Sequence, residues 1–337
     1  IMKAEGFTIA MWNRREFLVT VTSGALSACS HEPLGTTRTA VLTGRERLDR
    51  VLRGEEVDRP PFTFYYHFGL EHLPGHHHAK ATLDFHRRFR TDLVKVMSDF
   101  PYPKPEGIWY ELEVVENPFP EQIRALELIR DGLQGECHFI ETIFNPWDQA
   151  GKISSPEEVR RVKEENPQKL LDALEVIAKS EGNHARLAVE AGASGVFLAI
   201  TNAQEGILTP EEYEEFCEPF DRMILDAVSD APLNTLHLHG DKVYLDRFFS
   251  GWSAAVVQYS VHGTGVPLGE VRQRYRGVLM GGIDERHFRN LSEAEMKSEW
   301  RAAQGAAGPR FILAPGCSVP NDTSDEELMR LVSMLGA

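Results

Sequence analysis

The stretch that decides the fold begins with Val196-Phe-Leu-Ala-Ile200, continues through Thr209-Pro-Glu-Glu212 and ends with Thr235-Leu-His-Leu-His239. The first and last segments are short apolar runs of the kind that form buried strands. The middle segment has a capping threonine, a proline in the first turn and two acids near the positive end of a helix dipole. A strand, a helix and a second strand in this order indicate parallel strands in an α/β protein.

The same alternation continues in both directions along the chain. The further apolar runs are Pro61–Tyr66, Leu93–Met97, Phe139–Phe144, Ala255–Ser260, Val278–Ile283 and Phe311–Ala314. The helix candidates are Glu121–Gly132, Pro156–Ser180, Pro210–Ser229, Leu268–Tyr275, Glu293–Ala303 and Ser324–Leu335. Eight repeats favour a single-domain (β/α)8 TIM barrel over residues 44–337, with residues 101–120 as a loop over its mouth. A dinucleotide-binding sheet is disfavoured because no Gly-x-Gly-x-x-Gly follows the first run.

The overall charge limits the classes of partner. The chain has 337 residues and a net charge of −15. A field of this sign repels phosphate backbones and anionic lipid, so nucleic acid is not an expected partner and a small-molecule substrate is favoured. A chain of this length builds its core without disulfides, so the four cysteines are not expected to form a disulfide framework.

The first 29 residues have the sequence pattern of an export signal. Arg14 and Arg15 precede a modestly apolar run that is too short to span a membrane, and the pattern resembles a twin-arginine signal. Leu26-Ser-Ala-Cys29 resembles a lipoprotein processing box, and Met11 is the expected start. Residues 30–43 read as a polar tether. The expected location is the periplasm or outer membrane face, with membrane contact only through the signal or a lipid on Cys29. The alternative is a chance arginine pair before an amphipathic helix.

Polar and titratable residues concentrate where the predicted strands end, which is where the active site of a TIM barrel lies. They are Tyr66, His67, Asp99, Asn145, Asn202, Glu205, His237, His239, Tyr259, His262, Asp284 and Cys317. Strand ends need far fewer titratable groups for stability, so we expect an active site at this end of the barrel.

Two histidines and one cysteine predict a metal site. His237 and His239 lie two residues apart on one strand, so both face the barrel axis while Leu236 and Leu238 face the helices. Cys317 follows the last strand in a Pro-Gly loop. Two imidazoles and one thiolate leave one position open, which is the pattern of catalytic zinc, whereas Mg²⁺ and Ca²⁺ prefer oxygen. The alternative is a pair of hydrogen-bonded core histidines.

Other candidate residues carry weaker signals. Asp99 ends the second strand, where a carboxylate is equally well explained as a helix or turn cap. The triplet from His76 to His78 follows Pro74-Gly75 and is interpreted as a solvated loop. Cys137 shows no ligand spacing, and Cys217 is expected to pack within the helix that starts at Pro210.

From about residue 45 to residue 335 the chain resembles the uroporphyrinogen decarboxylase superfamily, and six segments carry the resemblance. They are Arg45–Pro61, Ser98-Asp99, Leu208–Pro219, His237–Gly240, Gly281-Gly-Ile-Asp284 and Ala314-Pro-Gly-Cys317. Each is weak alone, but together they keep the family's order along the chain. The resemblance implies a (β/α)8 barrel, in agreement with the strand count.

The superfamily contains decarboxylases and zinc methyltransferases that move methyl groups between corrinoids and thiols. The decarboxylases have Arg-Gln-Ala-Gly-Arg after the first strand, where this chain has Tyr66-His-Phe-Gly-Leu70 and both arginines are lost. The position of a catalytic carboxylate is kept as Asp99. The methyltransferases have His-x-Cys and a later Cys, where this chain has His237-x-His239 and Cys317. The metal motif is thus closer to the methyltransferase branch, with one thiolate replaced by imidazole.

The resemblance implies an enzyme, for which three hypotheses remain open. The first is zinc-dependent methyl transfer to or from a thiol or corrinoid, with a corrinoid or corrinoid protein as partner. Asp99 and Tyr66 would orient the substrate, and Glu205 would serve as a fourth ligand or a base. The second is a metal-free decarboxylase of uroporphyrinogen or a smaller carboxylate, in which Asp99 stabilises a protonated intermediate. The third is an exported tetrapyrrole- or corrinoid-binding protein without catalysis.

Overall fold

The computed structural model describes residues 41–70, 72–98 and 100–335, which contain seven strands and twelve α-helices. The strands are β1 Leu93–Val96, β2 His138–Phe144, β3 Val196–Ile200, β4 Thr235–Leu238, β5 Val256–Tyr259, β6 Val278–Ile283 and β7 Phe311–Pro315. The helices are α1 Gly44–Arg53, α2 Gly75–Phe89, α3 Pro120–Leu133, α4 Pro146–Ile153, α5 Pro156–Glu165, α6 Pro167–Glu190, α7 Pro210–Phe216, α8 Glu218–Asp226, α9 Val261–Thr264, α10 Leu268–Arg274, α11 Glu293–Ala307 and α12 Asp325–Leu335. None of the helices in these ranges is long and apolar enough to cross a membrane.

The signal assigned to residues 1–29, with Met11, Arg14, Arg15 and Cys29, lies outside the described residues. So do most of the tether and Asp99. The corresponding sequence interpretations stay predictions.

All seven strands are parallel and follow one another in chain order in a single curled sheet. α-Helices separate consecutive strands, as the βαβ pattern predicts, except that only the short 3-10 helix Leu245–Phe248 lies between β4 and β5. Because the strands are parallel, every strand has its carboxyl end at the same edge. In the register, His237 of β4 lies opposite Ala199 of β3 on one side and Gln258 of β5 on the other. The α/β class with a parallel sheet is therefore confirmed.

The segment Pro61–Tyr66, predicted as the first strand, does not form a regular strand. Phe62 makes an isolated parallel bridge to Leu313 of β7, and the Asp92 N–H donates to the Phe62 carbonyl at 2.9 Å. Pro60 and Pro61 carry no N–H and therefore donate no hydrogen bond to a neighbouring strand. The described sheet thus has seven strands. The predicted α/β fold is confirmed as a curled parallel sheet, and its closure into an eight-stranded barrel stays a prediction.

Two long predicted helices are each divided in two. Residues 156–180 were expected as one helix, but α5 ends at Glu165 and α6 begins at Pro167. Residues 210–229 divide at Cys217, one residue before α8 and two before Pro219. Proline lacks the N–H of the helical ladder and restricts the residue before it, so each proline starts a new helix. Cys217 is buried, as expected, although it lies at the junction.

The loop prediction for the histidine triplet is wrong. His76, His77 and His78 form the first turn of α2, where His78 is buried against Phe68 and Phe100. Proline and glycine before a histidine run mark a helix start here, since proline at residue 74 stands directly before the first turn. Residues 101–119 contain no helix or strand, as predicted.

The core has two layers, one on each side of the sheet. Leu236 and Leu238 of β4 belong to the larger layer between sheet and helices, as the alternation along the strand predicts. Inward-facing strand residues such as Phe197 and Ile312 form a second layer together with Leu48 of α1. Helix α1 therefore packs against the interior of the curled sheet.

A buried ion-pair network holds α1 in place. The Arg47 guanidinium is 2% exposed and pairs with Asp58 at 2.7 Å and with Asp92. Arg59 also pairs with Asp92, which is 3% exposed. The charges of Arg47 and Asp92 are both buried, so removing one partner would leave the other charge buried without full compensation.

Replacing Arg47 by methionine is expected to lower the free energy of unfolding by about 3 kcal/mol, because two carboxylates would lose a buried partner. Arg59 would still pair with Asp92. The expected loss of free energy of unfolding is therefore at the lower end of the range for breaking a buried ion pair. Denaturant unfolding measures the change, with exposed Arg50→Met on the same helix as the control. A loss for Arg47→Met no larger than that of the control would contradict the role of the network.

Candidate metal centre and active site

The carboxyl ends of β4 and β7 bring three predicted ligands together. His237 and His239 come from β4 and the residue after it, and Cys317 comes from the loop after β7. One ligand atom from each lies within 4.8 Å of the other two. Cys317 Sγ and His239 Nδ1 are 3.4 Å apart. Among the described residues, these three side chains form the one group with metal-binding spacing.

The donor set fits zinc. Zinc at about 2.3 Å from sulfur and about 2.0 Å from nitrogen, in tetrahedral geometry, separates those two atoms by roughly 3.5 Å. The Cys317–His239 separation of 3.4 Å is close to this edge length. His237 is buried, His239 is exposed at the mouth and Cys317 is intermediate, so the group lies between the interior and the opening.

The ring of His237 is fixed by two neighbours. It stacks on Phe197 of β3, with ring centroids 4.8 Å apart and an interplanar angle of 23°. Its Nδ1 forms a hydrogen bond with Oε1 of Gln258, the register partner on β5. The other ring nitrogen, Nε2, is thereby left to face a metal.

The electrostatics of the group favour a thiolate. Burial acts to raise the pKa of the Cys317 thiol, but hydrogen bonds and charge from His237 and His239 outweigh burial and lower the pKa to about 4. The hydrogen bond that His239 donates to the Cys317 thiolate in turn raises the pKa of His239. Cys317 is therefore in the ionised form that coordinates metals at neutral pH.

A cavity of about 610 Å³ opens on the inner side of the group. Tyr65, Phe144 and Phe197 contribute aromatic walls to this inner cavity, and the whole lining also includes Lys95, Lys104, Lys152 and Asp148. His237, His239 and Cys317 complete the wall. The size is typical of a site for a small molecule.

A second cavity of about 470 Å³ lies on the other side of His239 and Cys317. Its polar walls, which define the outer cavity, are Gln204, Glu205, Gly240, Asp241, Lys242, Ser260, Glu285, Arg286 and Gly316. His239 and Cys317 are thus the two residues that line both cavities.

The other predicted site residues are distributed around this centre. Ser98 and Phe100, on either side of Asp99, line the inner cavity. Tyr66 is turned away from this cavity: its hydroxyl donates to the Asn321 carbonyl at 2.6 Å, and its ring stacks on Phe85. Glu205 lines the outer cavity and pairs with Lys242 at 3.1 Å.

Several predicted strand-end residues serve local structure. Asn145 donates to Asn202 at 2.7 Å in a buried contact. Tyr259 donates to the Val266 carbonyl at 3.1 Å, and His262 lies 3.6 Å from Asp284. In contrast to these residues, His67 lines the inner cavity.

Sequence reasoning missed Gln258, Lys95 and Tyr65. Gln258 had a usable signal, because Val257 and Tyr259 pack toward the helices and a residue between them must face the interior. Lys95 follows the same rule on β1, where its ammonium group lies 4.8 Å from the centre of the Phe197 ring. Tyr65 precedes the residue that was chosen, and only the irregular path of this segment determines which tyrosine enters the cavity.

Residues 108–336 match the sequence model of the uroporphyrinogen decarboxylase (URO-D) family. The chain belongs to this family. Uroporphyrinogen decarboxylase of Synechococcus sp. (strain JA-3-3Ab) is 27% identical over 272 residues, which cover 65% of this chain and 74% of that protein. Methylcobamide:CoM methyltransferase MtaA of Methanosarcina barkeri is 23% identical over 237 residues, covering 69% of this chain and 68% of that protein.

Among solved structures, a methyltransferase from Methanosarcina mazei superimposes on this URO-D family member with a TM-score of 0.73 at 18% identity. The match covers 88% of this chain and 98% of the other. At this identity the likeness supports the fold. Relatives named as decarboxylases and as a methyltransferase thus both resemble the chain.

Proposed function

We propose that this URO-D family member is a zinc-dependent methyltransferase that uses a thiol and a corrinoid as reactants. The observation that carries the proposal is the convergence of His237, His239 and Cys317, which supplies three ligand atoms and leaves a fourth position for a reactant. Bound zinc supplies Lewis acidity, through which a thiol or hydroxyl group loses its proton at neutral pH.

The two cavities support a reaction between two molecules. The inner cavity has aromatic walls and accepts a small molecule whose sulfur or oxygen faces Cys317 and His239. The outer cavity gives a second reactant a separate approach to the same two side chains. Methyl transfer needs such an arrangement, because the donor and acceptor must approach along one line.

Side chains around the cavities have proposed roles in orienting the reactants. Asp99 and Tyr66 are proposed to position the substrate, with Tyr66 acting through the Asn321 backbone that it contacts. Glu205, in the outer cavity wall, is proposed as a base or a fourth ligand.

We further propose that residues 61–66 complete an eight-stranded barrel. We also propose that the chain is exported through its first 29 residues and lipidated at Cys29.

In this reaction the thiol sulfur forms a bond to the methyl carbon, and the Co–C bond breaks. Cobalt keeps the electron pair of that bond, and the thiol proton passes to solvent. The thiolate–imidazole pair of Cys317 and His239 keeps negative charge next to the reacting atoms.

A decarboxylase of a small carboxylate is the second candidate. The inner cavity is lined by Lys95, Lys104 and Lys152, although the net charge of the whole chain is −15. This local concentration of positive charge favours an anionic ligand in the cavity. Several relatives are named uroporphyrinogen decarboxylase. This reaction would need no metal.

Methyl transfer from a methylated corrinoid to a thiol is expected to follow zinc occupancy. Activity should stop when a chelator removes zinc and return when zinc is restored, and His239→Ala should abolish the recovery. The corrinoid absorbance spectrum follows the reaction directly. His287→Ala, at an exposed histidine outside the ligand group, is the matched control. Transfer that continues unchanged in the chelated protein would contradict the proposal.

A further inference from the structure

One buried side chain contacts both strand ends that carry the metal ligands. Gln258 of β5 is fully buried. Its Nε2 donates to the carbonyl of Pro315 at 2.9 Å and to the carbonyl of Gly316 at 2.8 Å, directly before Cys317. Its Oε1 contacts Nδ1 of His237. Gln258 therefore bridges the strand that carries the histidines and the loop that carries the thiolate.

The orientation of this amide follows from its partners. Backbone carbonyls only accept hydrogen bonds, so the amide nitrogen of Gln258 must face Pro315 and Gly316. The amide oxygen then faces His237, and because oxygen only accepts, Nδ1 of His237 must carry the proton. The lone pair of this imidazole is consequently on Nε2, the atom available to a metal.

The Cys317 loop is also held from its other side. The N–H of Gly316 donates to Oε2 of buried Glu285 at 3.1 Å, and Oε1 of Glu285 accepts from Ser260 at 2.7 Å. A Cβ on Gly316 would lie 2.5 Å from Glu285 Oε2 and from Ser260. Gly316 is thus fixed through both its N–H and its carbonyl, which leaves little freedom for the residue that follows it.

We propose that Gln258 is a positioning residue that sets the tautomer and ring orientation of His237 and the place of Cys317 through one amide group. The inference rests on the proposed zinc site and goes beyond it, because it assigns the geometry of the site to a residue that does not touch the metal. Outer groups that orient a ligand typically change metal affinity by about 10–100-fold when they are lost.

Two variants of Gln258 remove different hydrogen bonds of its amide group. Gln258→Met keeps the length of the side chain and removes all three hydrogen bonds. Gln258→Glu keeps an acceptor for His237 but loses the donor to the two carbonyls. Gln122→Met is the matched control, since Gln122 is also fully buried and its Nε2 also donates twice, to Met97 and Glu141.

Zinc affinity is measured by competition with a chromophoric chelator, and the ligand field by the absorption spectrum of the cobalt(II) form. We expect Gln258→Met to bind zinc at least about 10-fold more weakly with an altered cobalt spectrum, and Gln258→Glu to lose affinity as well. Gln122→Met should leave both readouts unchanged. If the wild type binds neither metal, the zinc site itself fails. If the wild type binds and both Gln258 variants match it, the positioning role is wrong.

Discussion

Zinc binding is expected to weaken by more than about 100-fold when Cys317 is replaced by serine, since loss of a ligand exceeds the 10–100-fold effect of losing an outer contact. Cys317 is the only sulfur ligand in the group, and its pKa of about 4 makes it an ionised donor at neutral pH. A serine hydroxyl stays protonated under these conditions and is a poor ligand. Metal analysis of protein grown with zinc and competition with a chelator measure the effect.

Cys137→Ser is the control for this experiment. Cys137 is a buried free cysteine whose pKa is raised by burial to about 12, so it stays a neutral thiol and is not expected to bind zinc. The control variant should keep about one zinc per chain, as a single three-ligand site requires. Wild-type protein without zinc, or a Cys317→Ser variant that retains zinc as firmly as the wild type, would contradict the site.

Turnover of uroporphyrinogen is expected to be lower by several orders of magnitude than that of a related decarboxylase assayed in parallel. The resemblance to the decarboxylases implies that two arginines which bind substrate carboxylates are replaced here by Tyr66 and Leu70. In the structure, the Tyr66 hydroxyl is engaged by the Asn321 carbonyl, and leucine offers no donor. Each missing charge-assisted hydrogen bond costs roughly 1.5–3 kcal/mol, and several are missing together.

The assay separates the two candidate reactions. Purified protein receives uroporphyrinogen in one vessel, and a methylated corrinoid with a set of thiols in another. Stepwise loss of carboxyl groups that a chelator does not affect would reject the transferase and support the decarboxylase. The lysines of the inner cavity are single positive charges without the paired donors of arginine, so they do not replace the lost clamps for a substrate with many carboxylates.

Local sequence patterns were sufficient to predict the class of the fold and the three side chains, His237, His239 and Cys317, that the structure brings together. The alternation of apolar runs and capped helices predicted parallel strands in chain order, and all seven regular strands lie within one residue of a predicted run. The spacing of two along β4 placed His237 on the inner side of the sheet, opposite the face of Leu236 and Leu238. Cys317 followed from its place after the last strand. These predictions succeed because strand periodicity and strand ends are local properties.

The tertiary structure alone decided how distant segments complete the site. Gln258 and His237 are 21 residues apart in sequence, and only the strand register places them side by side. His239 and Cys317 line both cavities together because β4 and β7 end at the same edge of a curled sheet. The isolated bridge that joins residues 61–66 to β7 spans 251 positions, from Phe62 to Leu313. Such features could not be predicted because hydrogen bonds between distant segments form only when the whole sheet has curled and brought their strand ends together.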